Sequence, residues 1–221
     1  MKYEQAALNI LEAGKRLYER GFAYANDGNI SARLEDGTVL MTPTGVSKGF
    51  MTADMLITVD LSGKKLRGEM PPSSEMALHL RAYRENERIM SVVHAHPPMA
   101  TSFASAGIPL DTAVLQEAVV QLGVVPLARY ALPGSSEVGT SIAELCREYN
   151  AALLEYHGAV TWGENVMQAL FRMESVEYYA TVLKYLREMN ALRPMTEAQI
   201  DGLVALREKW GVTGGGRPRG R

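Results

Sequence analysis

The stretch "NISARLEDGTVLMTPTG", residues 29–45, sets the expected fold because its hydrophobic period is that of β-strands. Ile30, Ala32 and Leu34 alternate with polar residues, and apolar residues return shortly afterwards. Asp36-Gly37, between the two runs, has the residue types of a tight hairpin turn. The stretch therefore predicts two antiparallel strands.

Strand and helix patterns alternate through the rest of the chain. Further strands are predicted at residues 55–68, as a second hairpin turning at Ser62-Gly63, and at 89–96 and 151–162. Helices are predicted at residues 3–21, 73–86, 138–149, 166–189 and 196–211. Strands that come as hairpins, with helices between and after them, indicate an α/β fold with a mostly antiparallel sheet rather than a doubly wound parallel one.

The composition excludes several classes of protein. The 221 residues carry a net charge of -2, so there is no general basic footprint for nucleic acid. The sequence has no apolar run long enough for a membrane span, no secretory signal, and no GxGxxG or GxxxxGK[ST] loop. Cys146 is the single cysteine, so no intrachain disulfide can form. We expect a cytoplasmic protein that binds neither nucleic acid nor membrane.

The chain is predicted to be a single domain over residues 1–212, because no internal repeat or linker divides it. Residues 213–221 end in "GGGRPRGR", which is rich in glycine and arginine. This composition predicts a flexible basic tail, and a role in binding phosphate or nucleic acid is the lesser alternative.

Three of the four histidines lie where predicted strands end. His94 and His96 are two residues apart, so their rings point to the same side of a strand that Pro97-Pro98 then terminates. His157 ends a second apolar strand, just before Gly158. Three imidazoles can hold a divalent cation and leave a coordination position open, as a catalytic zinc site requires. The alternative is that these are ordinary surface or core histidines.

Glu75 is a candidate acid or base. Ser73 or Ser74 is a plausible helix N-cap, which would place Glu75 in the first helical turn, where the helix dipole favours the carboxylate. A carboxylate beside a divalent ion is suited to proton transfer at a carbon next to a carbonyl. The alternative is that Glu75 only complements the helix dipole. His79, four residues later, is interpreted as a packing or hydrogen-bond partner rather than a ligand.

Two polar segments have the composition of anion-binding loops. "DGNISAR" (residues 27–33) and "TPTGVS" (residues 42–47) combine glycine, asparagine and small hydroxyls, and Ser73-Ser74 adds two hydroxyls near a helix N-terminus. Each could turn N–H and O–H groups toward a phosphate, although most such segments are simply turns.

Taken together, these motifs resemble the class II aldolase/adducin family, and within it the L-fuculose-1-phosphate aldolases. The motifs are "GNIS" (residues 28–31), "TPTG" (42–45), "PSSE" (72–75), "HAH" (94–96) and "YHG" (156–158). They occur in the family's order and spacing and span nearly the whole chain. Five motifs in order are specific to the family, but they do not define one substrate.

The resemblance implies a three-layer α/β/α fold with a central, mostly antiparallel sheet, and a homotetramer with active sites between subunits. It implies Zn²⁺, with Mn²⁺ or Co²⁺ as alternatives, held by His94, His96 and His157, with Glu75 as the acid/base. The positions that match those holding a sugar-phosphate substrate are Gly28, Asn29, Thr44, Gly45, Ser73 and Ser74. Trp210 matches an aromatic residue on a mobile tail that can close over the site.

The implied reaction is reversible cleavage of a ketose 1-phosphate to dihydroxyacetone phosphate and an aldehyde. It proceeds through a metal-stabilised enediolate, to which Glu75 returns a proton. Fuculose-type aldolases also use a tyrosine at the aldehyde end, whereas "IPLDTAVLQEA" (residues 108–118) has none, and Leu132-Pro133 stands where an aromatic residue is expected. The sugar is therefore open among fuculose 1-phosphate, rhamnulose 1-phosphate and a 5-deoxypentulose 1-phosphate.

Other members of the family provide the alternatives. Ribulose-phosphate 4-epimerases typically carry aspartate in the position of Glu75, so the glutamate favours an aldolase. Methylthioribulose-1-phosphate dehydratases and sugar-acid phosphate decarboxylases share the metal site, and the contexts "PSSE" and "HAHPP" favour the aldolase over them. A non-catalytic, adducin-like module has no need for the three histidines, the glutamate and the phosphate loops together.

Overall fold

In the computed structural model, which describes residues 1–132 and 135–221, eight strands form one sheet. In chain order they are β1 (Asn29–Arg33), β2 (Val39–Met41), β3 (Ile57–Val59), β4 (Lys65–Arg67), β5 (Ser91–Ala95), β6 (Leu127–Ala128), β7 (Ala151–Leu154) and β8 (Gly158–Gly163). Their order across the sheet is β4-β3-β2-β1-β5-β8-β7-β6. Among the described strands, β6 and β7 alone pair in parallel, which confirms the predicted mostly antiparallel sheet.

Eight α-helices are found in the described part of the chain. They are α1 (Tyr3–Glu19), α2 (Met76–Glu85), α3 (Pro98–Ser105), α4 (Gln116–Gln121), α5 (Ser136–Ile142), α6 (Leu145–Glu148), α7 (Val166–Glu188) and α8 (Glu197–Lys209). One core cluster joins the sheet to α1, α3, α4 and α7, and a second joins it to α2, α5 and α6. The fold is therefore three-layered, as expected. No helix among the described residues is long and apolar enough to span a bilayer.

The central strand β5 is buried on both faces, which explains why apolar residues occupy consecutive positions in it. Val93 and Ala95 belong to the cluster under α1 and α7, whereas Val92 belongs to the cluster under α2. Successive side chains of a strand point to opposite faces, so His94 lies on the same side as Val92. Burying each valine on either face contributes about 1.5–3 kcal/mol, and this fixes which way the histidine points.

Local signals in the sequence account for several boundaries. Helix α1 ends as predicted at a glycine: Gly21 has φ +68°, and Phe22 N–H bonds the carbonyl of Leu17. Helix α8 begins with the predicted capping box between Thr196 and Gln199. The two predicted hairpins are β1–β2 and β3–β4.

Some elements differ from the sequence-based expectation. Residues 138–149 were predicted as one helix but are divided between α5 and α6, because i→i−3 hydrogen bonds such as Ala143 N–H to Thr140 O interrupt the α-helical pattern. The helices α3 and α4 and the strand β6 were not predicted. The prolines after the histidines were interpreted as a stop, but Pro98 also begins α3, since the first helical position needs no N–H donor.

Residues 213–221, predicted as a flexible tail, lie against the domain in the structure. The N–H of Gly215 donates to the carbonyl of Glu148 (2.7 Å), and the guanidinium of Arg207 donates to the carbonyl of Gly216 (2.6 Å). Consecutive glycines at 214–216 all have positive φ, so the backbone curls and presents its carbonyls to Arg207. The glycines that predicted a flexible tail instead allow the backbone of this segment to pack closely against the domain.

Candidate active site

Antiparallel pairing brings three distant parts of the chain to one edge of the sheet. Asn29 begins β1 and lies directly opposite His94 near the end of β5, while Ala159 of β8 lies opposite Ala95. Gly28 precedes β1 with φ +75°, and a side chain there would come within 3.0 Å of the His94 carbonyl oxygen. The close approach of β1 to β5 therefore requires glycine at this position.

The turn between β7 and β8 adds His157 to the same edge. A side chain at Gly158 would lie 2.6 Å from the carbonyl oxygen of Ala95 and 2.7 Å from the ring of His96. This glycine lets the turn close over the end of β5, so that the ring of His157 reaches the other two imidazoles.

The three histidines form one cluster, as the sequence predicted. The ring centroids of His94 and His96 are 4.9 Å apart, and the ring of His157 is 4.6 Å from His94 and 4.9 Å from His96. One nitrogen from each ring lies within 4.8 Å of the other two. The Nε2 atoms of His94 and His96 are separated by 3.1 Å.

This donor set fits a divalent cation. The Nδ1–H of His94 donates to the carbonyl of Ala159 (2.9 Å), so Nε2 is the nitrogen of His94 that faces the cluster and would bind a cation after losing its proton. Two ligands on a tetrahedral zinc ion are about 3.3 Å apart, given metal–nitrogen distances near 2.0–2.1 Å. Burial, followed by the charge of His94, lowers the pKa of both His96 and His157 to about 4, so both rings are neutral and able to bind metal at neutral pH.

Glu75 borders the histidines and is almost fully buried. Its Oε2 is 3.1 Å from Nε2 of His94 and its Oε1 is 3.4 Å from Nε2 of His157, and Oε1 has no hydrogen-bond partner. Burial favours the neutral form, but His94, His157 and the amide of Asn29 together outweigh it and hold the pKa of Glu75 well below its usual range. The carboxylate is therefore ionised, with one oxygen still available.

The helix that carries Glu75 begins one or two residues later than predicted, since the N-cap is neither Ser73 nor Ser74. Glu75 is the N-cap residue of α2 and is not inside its first turn. The hydroxyl oxygen of Ser73 accepts the N–H of Glu75 (3.2 Å), so a serine still supports the residue from the N-terminal side. As the N-cap, Glu75 has a non-helical backbone (φ −98°, ψ 17°), and its carboxylate extends toward the histidines.

A buried chain of hydrogen bonds extends from Glu75 into the protein. Asn29 Nδ2 donates to Glu75 Oε2 (2.8 Å), and Asn29 Oδ1 is 2.5 Å from His79 Nε2. His79 Nδ1 is 2.7 Å from the hydroxyl of Ser31, which is 2.6 Å from the hydroxyl of Tyr83. His79 is thus a hydrogen-bond partner, in agreement with the interpretation from its spacing.

The residues predicted to hold phosphate lie together with the acid and two of the histidines. A cavity of about 200 Å³ at this edge has, among its lining residues, Gly28, Asn29, Thr44, Gly45, Ser73, Ser74, Glu75, His96 and His157. Thr44 and Ser74 are exposed at its surface. Trp210 is 57 % exposed, follows α8 and does not line this cavity within one chain.

Lys48 also lines the cavity and was missed by the sequence analysis. It is only 2 % exposed, and its Nζ donates to the carbonyls of Asn26 (2.8 Å) and Val46 (2.6 Å), which lie on the two loops that flank the cavity. Burial, opposed in part by Asp27, lowers the pKa of Lys48 to about 8. The available signal was its position three residues after Gly45, in a segment with no other cation.

The segments that depart from the fuculose pattern lie elsewhere in the fold. Leu110, Ala113 and Ala118, from the stretch 108–118, are buried in hydrophobic clusters and do not line the cavity. Leu132 is 61 % exposed, whereas Pro133 lies outside the described residues.

The chain belongs to the class II aldolase family: residues 9–183 match the model described as Class II Aldolase and Adducin N-terminal domain. It is an enzyme of this superfamily, whose members act on sugar phosphates and typically use a divalent metal ion. The resemblance inferred from the five motifs is therefore confirmed.

Similar proteins carry more than one activity in their names. A 3-oxo-tetronate 4-phosphate decarboxylase of Pectobacterium atrosepticum is 34 % identical over 184 residues, covering 81 % of this chain and 84 % of that protein. An L-fuculose phosphate aldolase of Methanococcus maripaludis is 34 % identical over 178 residues, covering 80 % and 93 %. The crystal structure of Escherichia coli YgbL, described as a putative aldolase/epimerase/decarboxylase, has 30 % identity and a TM-score of 0.86, covering 91 % and 99 %.

Proposed function

We propose that this protein catalyses the metal-dependent decarboxylation of a phosphorylated 3-oxo sugar acid such as 3-oxo-tetronate 4-phosphate, releasing CO₂ and dihydroxyacetone phosphate. The three converging imidazoles beside an ionised, buried Glu75, with a polar cavity next to them, support chemistry on a phosphorylated substrate that develops negative charge. The name of the Pectobacterium relative supports the choice of decarboxylation.

The chemistry follows from the structure of such a substrate, which is a β-keto acid. The C1–C2 bond breaks, CO₂ leaves, and the electron pair delocalises onto the C3 carbonyl oxygen as an enediolate. A divalent ion held by His94, His96 and His157 would supply the positive charge that stabilises this oxygen. Glu75 takes a proton from solvent and delivers it to C2, which completes dihydroxyacetone phosphate and accounts for the one proton that the reaction consumes.

The phosphate is assigned to the part of the cavity lined by small hydroxyl side chains and Lys48. The hydroxyls of Thr44, Ser73 and Ser74 provide neutral donors there. Of the described residues that line the cavity, Lys48 is the one lysine or arginine. Two of its three N–H donors bind backbone carbonyls, so one donor and the positive charge remain for a dianion.

The observation that separates decarboxylation from aldol cleavage is the stretch 108–118, which contains no tyrosine. Cleavage to an aldehyde requires a group that removes the proton of the leaving hydroxyl, whereas CO₂ leaves without any proton transfer. A site with the metal and phosphate halves but without the tyrosine is therefore sufficient for a decarboxylase.

Aldol cleavage of a ketose 1-phosphate, expected from the sequence, remains the second candidate. Breaking the C3–C4 bond of such a ketose gives the same enediolate of dihydroxyacetone phosphate, so Glu75 and Lys48 would have the same roles. The 34 % identity to the Methanococcus fuculose phosphate aldolase supports this candidate.

One experiment decides between the two. The purified, metal-loaded protein is offered 3-oxo-tetronate 4-phosphate with CO₂ release measured, and dihydroxyacetone phosphate with a panel of aldehydes, with condensation products identified. We expect rapid CO₂ release and slow or no condensation. Condensation that is faster than CO₂ release would establish the aldolase, and turnover of methylthioribulose 1-phosphate or a pentulose 5-phosphate alone would overturn both candidates.

We also propose the homotetramer with active sites between subunits. Tyr130 and Tyr156, in edge-to-face contact beside His157, are 57 % and 67 % exposed in the single chain, as expected for aromatic residues that a neighbouring subunit covers. Sedimentation that shows a monomer under assay conditions would contradict this assembly.

A further inference from the structure

The hydrogen bonds behind Glu75 have a direction that the chemistry of the groups determines. The Oδ1 of Asn29 can only accept, so His79 must carry its proton on Nε2 and donate it. The Nδ1 of a neutral His79 can then only accept, and the hydroxyl of Ser31 donates to it. The oxygen of Ser31 in turn accepts from the hydroxyl of Tyr83. In each of these three hydrogen bonds, the donor is therefore the group nearer to Tyr83 and the acceptor is the group nearer to Asn29.

We propose that Tyr83, Ser31, His79 and Asn29 form a positioning relay for Glu75. The relay fixes the amide of Asn29 so that its Nδ2 donates to Oε2 of Glu75 (2.8 Å) and leaves Oε1 as the oxygen that transfers the proton. On this assignment the side-chain amide of Asn29 serves the acid/base. The catalytic consequence rests on the proposed function, whereas the hydrogen-bond assignment does not.

The relay has only one arrangement in which all its groups are satisfied. If the Asn29 amide turned over, its NH₂ would face the Nε2–H of His79 and its oxygen would face the carboxylate of Glu75, so both contacts would become repulsive. His79 and Ser31 are fully buried and Asn29 is 4 % exposed, so water cannot replace a lost partner. Burial lowers the pKa of His79 to about 3, which keeps the ring neutral and its tautomer fixed.

The spacing of these residues along α2 and β1 explains how their side chains come together. Glu75, His79 and Tyr83 follow one another at intervals of four residues, so they lie along one side of α2 and its N-cap. Asn29 and Ser31 are two residues apart on β1, so they point to the same face of the sheet. The hydrogen-bonded side chains therefore come alternately from α2 with its N-cap and from β1.

Substitution of the relay tests it through kcat, KM and metal content together. We expect His79→Leu to lower kcat about 10- to 100-fold, the range for groups that orient a catalytic residue, with KM and bound metal within twofold of wild type. His79→Gln, whose amide can still donate to Asn29, should recover part of the loss. Ser31→Ala should lower kcat less than His79→Leu, and Tyr83→Phe should have the smallest effect.

A matched control separates the relay from general loss of buried polar contacts. Tyr179 is as buried as Tyr83, and its hydroxyl donates to the carbonyl of Thr112, outside the cavity. Tyr179→Phe should therefore leave kcat unchanged even where it lowers the thermal unfolding midpoint as much as Tyr83→Phe does. A raised KM with unchanged kcat in His79→Leu would instead assign Asn29 to the phosphate and overturn the relay.

A measurement without substrate keeps the relay separate from the proposed function. Nitrogen-15 NMR of the metal-free wild-type protein should show His79 as the Nε2–H tautomer from pH 5 to 8. An Nδ1–H tautomer or a protonated ring in that range would overturn the relay, whatever reaction the enzyme catalyses. Absence of turnover with every substrate, together with the Nε2–H tautomer, would count against the proposed function alone.

Discussion

The two halves of the cavity differ in how the chain holds them. In the acid–imidazole half, lined by Glu75, His96 and His157 with His94 behind them, His94 is fully buried on a central strand and Glu75 is 8 % exposed. In the anion half, formed by the segments around Thr44 and Ser74 with Lys48, the polar groups lie on loops and two of them are exposed. The acid and the imidazoles are thus held at the ends of central strands and of α2, whereas the anion half is built from loop residues, two of them exposed.

Because of this contrast, we expect substitutions in the acid–imidazole half to cause the largest losses of activity. We expect His96→Ala to lose the bound divalent metal, measured by elemental analysis, and to lower kcat at least about 10³-fold, because the ion contributes several kcal/mol of charge stabilisation. Dialysis of the wild-type protein against chelator, followed by return of the metal, is the control. Full activity of the dialysed protein without metal would contradict a catalytic metal at the three histidines.

The next largest effect is expected for the acid/base itself. Glu75→Gln should lower kcat about 10²- to 10⁴-fold, the usual range for loss of a positioned proton donor, while the metal content stays at the wild-type level. The decisive measurement is exchange of the C3 proton of dihydroxyacetone phosphate with deuterated solvent. Exchange at the wild-type rate in Glu75→Gln would show that another group moves this proton.

For the anion half, we expect a smaller effect that appears mainly in kcat/KM. Lys48→Met removes a charge-assisted hydrogen bond worth about 1.5–3 kcal/mol, so kcat/KM for a phosphorylated substrate should fall about 10- to 150-fold. Lys48→Arg keeps the charge and is the matched control. If kcat/KM and stability fell equally in both variants, Lys48 would act only by holding its two loops together and not by binding the phosphate.

The pH dependence of kcat/KM gives a second test of the role of the Lys48 charge. Because burial lowers the pKa of Lys48 to about 8, its positive charge is present below that pH and is lost as the pH rises through it. The value of kcat/KM, which reports groups of the free enzyme, should therefore fall above about pH 8 in wild type. In Lys48→Arg this fall should disappear, and its persistence would assign the titration to another group.

The smallest effect is expected at the exposed edge of the anion half. Ser74→Ala removes one neutral hydrogen bond, worth about 0.5–1.5 kcal/mol, so KM should rise about 2- to 10-fold with kcat unchanged. A large loss of kcat in Ser74→Ala would show that the two halves are not separable in the way that their positions indicate.

The parts of the molecule that were predictable from sequence are those with a strong local pattern. Strand β5 and the β7–β8 pair were visible as short apolar runs, and the two-residue spacing of His94 and His96 placed both rings on one side. The capping box at Thr196 fixed the start of α8. In each case the signal lies within a few residues, where the backbone period alone decides the geometry.

The parts that were missed depend on contacts between distant segments. The position of Lys48 shortly after Gly45 does not by itself predict burial, because the burial depends on the two loops that contain Asn26 and Val46. The role of Asn29 depends on His79, fifty residues away, so its motif pointed to phosphate while its amide contacts the acid. Residues 213–221 fit against the domain through contacts with distant residues, such as the hydrogen bonds from Arg207 to Gly216 and from Gly215 to Glu148.

The pairing of β1, β5 and β8 also has a consequence for the order of folding. His94 and Ala159 are 65 residues apart in sequence, and His79 and Asn29 are 50 apart, so no short segment of the chain can assemble the site. Such non-local contacts form slowly, since long loops must close before any contact compensates them. A metal ion that binds this cluster therefore binds only chains whose central sheet is complete, and its concentration shifts the folding equilibrium toward the native state.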